Sequence, residues 1–149
     1  MKNILAITVV VLLGAGGYWF YTQKANAKEI TVYKSPTCGC CEKWVHHLEA
    51  NGFDVKVENT NYLQPIKDKY GVAKELSSCH TAIVDGYVVE GHVPAGVIHT
   101  FLKEHPAVKG LAVPGMPNGS PGMEGNGFKE NYNVFAFDGK GNASVYSRQ

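Results

Sequence analysis

The chain has 149 residues, 44% of them hydrophobic and 18% charged, with 14 basic and 13 acidic side chains and a net charge of +1. That is room for one domain with a real core, and the composition excludes a disordered, collagen-like or coiled-coil chain. No basic stripe points to nucleic acid, and four cysteines are too few for a disulfide scaffold but enough for a metal or redox site.

The N-terminus reads as an export signal. Lys2 precedes an almost wholly apolar run from Ile4 to Gly17, which Tyr18-Trp19-Phe20-Tyr21 extends. Ala25-Asn26-Ala27 then supplies an A-x-A cleavage pattern, so residues 1–27 are a signal peptide and the mature domain is 28–149. Removing Lys2 and Lys24 leaves 12 basic against 13 acidic groups, net −1. The alternative is an uncleaved anchor, since Ile4–Tyr21 is at the short end of a bilayer span and its aromatic cluster suits an interface. Either way the domain works outside the cytoplasm, in a bacterial periplasm. A membrane is a partner only if the segment stays uncleaved.

The mature domain alternates elements. Glu29 to Lys34 reads as a β-branched strand, broken by Ser35-Pro36-Thr37. From Cys40 to Asn51 the spacing of Trp44, Val45 and Leu48 predicts a helix, with Gly52 as its stop. Phe53, Val55 and Val57 alternate as a second strand. Pro65 opens a short helix that Gly71 closes. Thr81–Asp85 and Tyr87–Glu90 flank Gly86 as a hairpin. Pro94 opens a last helix with Val97, Ile98, Phe101 and Leu102 on one face, and Pro106 ends it. Residues 110–127 are dense in Gly and Pro and predict an irregular loop, too long for a minimal connector. Tyr132–Phe137 and Ala143–Tyr146 alternate around Asp138-Gly139-Lys140-Gly141, a second hairpin. The fold class is therefore α/β: a single thioredoxin-like domain of order β-α-β-α-β-β-α, with a Gly/Pro-rich loop and a C-terminal β-hairpin.

The chemistry concentrates in the cysteines. Cys38 and Cys41 form a C-x-x-C pair between the first strand and first helix, the thioredoxin redox position, where a helix N-terminus stabilises a thiolate. Cys40 sits between them. Three thiols in four residues would reshuffle, which is awkward for disulfide exchange and suits a metal site. Cys79 lies just before the third strand, and in a thioredoxin-like order that segment passes beside the C-x-x-C loop. The competing reading is a pair of structural disulfides, which the compartment permits, although adjacent Cys40 and Cys41 are poor partners and Cys79 can bridge only one of the three. Metal binding accounts better for the grouping.

On count alone four thiolates fit zinc or iron–sulfur. Beyond the initiator, however, the methionines are Met116 and Met123, in duplicated Pro-Gly-Met triplets of the irregular loop. Methionine is ordinarily a core gap-filler, but thioether is a soft ligand that suits copper(I) and adds little for zinc. Four thiolates around one copper(I) leave a site three charges negative, whereas several bridged ions approach neutrality, which favours a polynuclear cluster. Among six histidines, His80 follows Cys79 and fits a ligand, a partner behind the ligands or a core side chain equally well. His92 precedes the last helix, where a loop can bring it to the cysteines. His46 and His47 read as solvated, and His99 and His105 as helix residues, with His105 complementing the C-terminal dipole.

At Lys34-Ser35-Pro36-Thr37-Cys38-Gly39-Cys40-Cys41, with Trp44 and His47-Leu48 following, the sequence resembles the copper-resistance family typified by CopG, long labelled a domain of unknown function. The resemblance continues through Ser78–Ala82, Glu90–Ala95 and Val113–Glu124. It implies a thioredoxin-like fold, a periplasmic location and copper bound by clustered cysteines, with a cysteine-bridged multi-copper cluster in the characterised type. That carries onto Cys38, Cys40, Cys41 and Cys79, and less directly onto Met116, Met123, His80 and His92. The implied partners are copper ions and other periplasmic copper-handling proteins. Storage, transfer and redox chemistry all stay open.

Two classes of function follow. One is a periplasmic copper(I)-binding protein for copper tolerance, with or without a copper redox role. The other is a thiol–disulfide oxidoreductase using Cys38 and Cys41, against which Cys40 weighs. A purely structural module leaves the cysteine grouping unexplained, and nothing suggests nucleotide binding, a serine triad or paired catalytic carboxylates.

Overall fold

A computed structural model describes residues 27–125 and 127–149. The signal or anchor expected within residues 1–27 lies, but for Ala27, outside the described residues. Among the described residues no helix is long and apolar enough to cross a membrane.

Among the described residues seven strands form one sheet: β1 (Lys28–Lys34), β2 (Phe53–Asn59), β3 (His80–Val84), β4 (Tyr87–Glu90), β5 (Gly110–Ala112), β6 (Asn133–Phe137) and β7 (Ala143–Arg148). Their order across the sheet is β2-β1-β3-β4-β5-β6-β7. Among the described residues three helices, α1 (Gly39–Ala50), α2 (Gln64–Tyr70) and α3 (Ala95–Glu104), and a 3-10 turn at Lys74–Leu76 accompany the sheet. The thioredoxin-like α/β order expected from the sequence is the one observed. β1 and β2 run parallel through α1, and β4 and β5 run parallel through α3, because parallel neighbours need a crossover. The other pairs are antiparallel. At the β3–β4 turn Asp85 and Gly86 both have positive φ, 48° and 81°, which a two-residue hairpin requires.

Strand alternation divides the core between two faces. Ile30, Val32, Ala82, Val84, Val89, Leu111 and Val134 meet Trp44, Val45 and Leu48 of α1 and Ile98, Phe101 and Leu102 of α3. Val88, Ala112 and Phe137 turn the other way, onto Val72, Leu76 and Tyr70 around α2 and the 3-10 turn.

One expectation is corrected. The stretch from Gly110 was expected to be irregular throughout, yet Gly110–Ala112 is a strand, buried at every position. It pairs with Val88–Glu90 on one side and Phe135–Phe137 on the other. Its conformation comes from these neighbours rather than from local propensity. Gly110 is needed there, because a Cβ would collide with the Val88 backbone.

Register places the two cysteine loops together. β1 and β3 are antiparallel with Lys34 opposite His80. The chain leaving β1 and the chain entering β3 therefore meet at one end of the sheet.

Candidate metal centre

Cys38 is the N-cap of α1, in extended conformation, and its sulfur accepts from the Cys41 N–H at 3.4 Å. A turn from Ser35 holds it, the Cys38 N–H donating to the Ser35 carbonyl (3.1 Å). Cys38 and Cys41 are joined by a disulfide, while Cys40 and Cys79 are free thiols. The Cys38 sulfur lies 3.5 Å from that of Cys40, and the Cys41 sulfur 3.4 Å from that of Cys79. All four sulfurs fall within 4.8 Å of one another, a grouping able to hold metal. Burial, and then the neighbouring Cys40, push the Cys79 thiol up to about 12. A cation bound at the sulfur would reverse that preference for the protonated form.

Cys79 also belongs to a second group, with His80 and His92. The His92 Nε2 is 3.1 Å from the Cys79 sulfur, and its Nδ1 is 2.8 Å from the Pro121 carbonyl. A carbonyl only accepts, so Nδ1 carries the hydrogen and the Nε2 lone pair faces the sulfur. That tautomer is the one a metal requires. His80 Nδ1 lies 3.3 Å from the same sulfur, and its buried Nε2 has no partner. Its ring packs on Trp44, 4.3 Å between centroids. Burial holds both histidines below the usual range, His80 well below, so both rings are neutral.

The Gly/Pro-rich segment, shortened by β5, is a strap over this end of the sheet. The Gly115 N–H donates to Ser77 O (3.2 Å) and the Gly115 carbonyl accepts from Ser78 Oγ. The Met116 sulfur lies 4.0 Å from Cys40, with half of the residue exposed. Gly122, at φ +86°, sits on the first turn of α1, where a Cβ would lie 2.7 Å from the Cys40 carbonyl oxygen. Met123 lines an open depression of about 370 Å³ with Cys40, Lys43, Glu124 and Phe128. Of the two methionines, Met116 is the one whose sulfur lies against a thiol.

Sequence reasoning missed the supports. Trp44 donates its indole N–H to Val93 O (2.9 Å) and backs His80. His47, expected to be solvated, is half-buried, and its Nε2 accepts the Ala95 N–H at the start of α3 (3.1 Å). Lys67 and Glu90 form a buried ion pair beneath the Cys79 loop. No periodicity signals a buried lysine on a short polar helix. Only its position opposite a strand-end glutamate does, and that needs the fold. His46 is exposed, as expected, and pairs with Glu49 (3.0 Å). His105 is the left-handed C-cap of α3. His99 stacks on Phe53 and donates to Asn51 O (2.9 Å).

The family described as "Protein of unknown function, DUF411" matches residues 76–123, which hold Cys79, both histidines of the site and the strap. Two solved structures, titled "Copper resistance protein copG- Form 2" and "Form 1", are each 43% identical to this chain and cover 83% of it. The chain spans 99% and 98% of their lengths, with TM-scores of 0.79 and 0.78. No curated protein matches the sequence.

Proposed function

The chain belongs to the CopG copper-resistance family, and we propose on that premise that it is a periplasmic protein of copper tolerance whose cargo is copper(I). One observation carries the reading: four sulfurs from two separate loops lie within 4.8 Å of one another, with two neutral histidines on the Cys79 sulfur. Soft sulfur and imidazole donors suit copper(I). His80 turns its Nδ1, not its unpartnered Nε2, toward the Cys79 sulfur (3.3 Å), so Nδ1 is the nitrogen it can offer to a soft cation beside the thiols. Cys38, Cys40, Cys41 and Cys79 would bridge several copper(I) ions, since four thiolates on one ion leave too much buried negative charge. His92, His80 and Met116 complete the donor set, and Met123 stands beside it. The disulfide between Cys38 and Cys41 must be reduced before both sulfurs can bind. The N-terminal sequence, read as an export signal, and the family support a periplasmic setting, with other copper-handling proteins there as partners.

The test is stoichiometry. The domain is reduced without oxygen, loaded with copper(I) against a competing chelator, and assayed for copper, zinc and free thiols. Several tightly held copper ions per chain, with thiols protected from alkylation, are expected. Cys38→Ser and Cys79→Ser should abolish tight binding. Unchanged stoichiometry in those variants, or no copper held against the chelator, overturns the reading.

The disulfide itself favours a second reading, a thiol–disulfide oxidoreductase using Cys38 and Cys41. Against it, the Cys40 sulfur is 3.5 Å from Cys38 and would compete for any mixed disulfide. Turnover of a model disulfide by the copper-free protein, lost in Cys38→Ser, would favour it. Reversible copper oxidation in the loaded protein would instead add a redox role to the first reading.

A further inference from the structure

Three of the four cysteines sit at the N-cap and first turn of α1, but Cys79 comes from elsewhere in the chain and must be held in place by the fold. The residues that hold it lie on the opposite face of the sheet. The side chain of Glu90, at the end of β4, is fully buried. One of its oxygens accepts the Ser78 N–H (2.6 Å) and the other accepts the Thr81 hydroxyl (2.6 Å). These donors bracket Cys79 and His80, one residue before the pair and one after. Lys67, reaching up from α2 and itself buried, pairs with the same carboxylate and donates to Thr81 Oγ1 (3.1 Å). The clamp closes behind Glu90 as well. The Gly91 N–H donates to His80 O (3.1 Å), and Gly91, at φ +72°, lies flat against Ser78, where any Cβ would collide.

A buried ion pair is a poor source of stability, because an apolar pair of similar volume commonly does as well or better. Its worth here lies in direction. A carboxylate accepts at both oxygens, so it can fix an N–H before Cys79 and a hydroxyl after His80 at once. Apolar side chains would fill the space and leave the loop free to turn. The strand alternation that points Thr81 and Glu90 down toward α2 turns His80 up toward Trp44. We propose that Glu90, charge-balanced by Lys67, is the positioning residue of the site: it sets where the Cys79 sulfur and the His80 ring stand relative to the other three cysteine sulfurs. This rests on the copper reading for its purpose, but not for its test.

The test reads Cys79 in the reduced, copper-free protein. Each thiol is alkylated under native conditions and its rate followed by mass spectrometry. Glu90→Ala leaves the Ser78 N–H and the Thr81 hydroxyl without their acceptor, and Cys79 should then alkylate about tenfold faster while Cys40 is unchanged. Glu90→Gln combined with Lys67→Met keeps an acceptor for Ser78 and a donor for Thr81 without charge, and should restore most of the wild-type rate. Thr81→Val removes one arm of the clamp and serves if Glu90→Ala fails to fold; about a threefold rise is expected. Copper(I) retention against a chelator should fall in the order of these rates. A merely structural pair predicts lower melting temperatures with the Cys79 rate and the copper retention of folded protein unchanged, and that result overturns the proposal. If wild type binds no copper yet the Cys79 rates shift as stated, the copper reading fails and the positioning role stands.

Discussion

Gly122→Ala tests whether the strap is seated on the cysteine helix. Gly122 has φ +86°, and an added Cβ would lie 2.7 Å from the Cys40 carbonyl oxygen and 2.9 Å from the Trp44 nitrogen. Neither atom can yield without unwinding the first turn of α1, so the strap must lift. The left-handed backbone alone costs about 1–2 kcal/mol for alanine. Lifting the strap withdraws the Pro121 carbonyl from His92 and leaves a buried N–H unpaired, about 1–3 kcal/mol more. The sum, about 2–5 kcal/mol, is below the stability of an ordinary domain, so the variant should fold but melt earlier. The freed His92 no longer has its tautomer fixed, and copper(I) retention should drop with stability. Urea denaturation gives the first quantity and chelator competition the second. A variant within about 0.5 kcal/mol of wild type, with copper retained, would refute the seating of the strap, since only surface substitutions are that mild.

Gly110→Ala should destabilise by about 3 kcal/mol, read from the urea midpoint, because its Cβ meets the Val88 backbone between paired strands. Gly96→Ala, in the first turn of α3 with open space around it, should instead stabilise by roughly 0.5 kcal/mol and leave copper binding alone. Burial holds His47 below its ordinary 6.5, against a weaker opposing pull from Glu124. The folded protein thus prefers neutral His47, whose Nε2 accepts the Ala95 N–H. Below about pH 6.5 the unfolded chain binds the proton first, so this stability is present above that value and lost as pH falls from it toward the lowered folded value. His47→Gln, which keeps an acceptor but cannot titrate, should show a shallower fall in melting temperature between neutral and mildly acidic pH; an unchanged slope would remove His47 from the pH dependence.

Much of this was legible because it is local. Alternation marked β1, β2 and both hairpins, and the spacing of Trp44, Val45 and Leu48 marked the buried face of α1. The convergence of Cys79 on the C-x-x-C turn was legible from element order, which the Lys34–His80 register realises. Strand β5 was not, because its three residues owe their conformation to β4 and β6 on either side. The two Pro-Gly-Met triplets are alike in sequence, but one methionine meets Cys40 while the other lines a depression. That difference comes from where Gly115 and Gly122 are pinned, and both anchors are backbone contacts that composition does not register. His47 read as solvated because its partner, the Ala95 N–H, lies on another helix.

The proposed donor set divides by how much folding each part requires. Cys38, Cys40 and Cys41 share the start of one helix, and a short peptide covering that turn already carries them. Such a peptide would bind copper(I) through flexible thiolates and lose the ordering entropy on binding. What the domain adds is Cys79, brought in by antiparallel register, and His92, aimed by a strap carbonyl. Both additions are bought with polar groups buried on purpose: Glu90 and Lys67 under one loop, Pro121 and the His92 ring at the other. An apolar pair of the same volume in place of Lys67 and Glu90 commonly costs no stability. It would leave the fourth sulfur and the imidazoles to find their places anew with each metal ion. Placing the unfavourable burial beneath Cys79, rather than beneath the helix that needs no help, is what the proposed cargo demands of this fold.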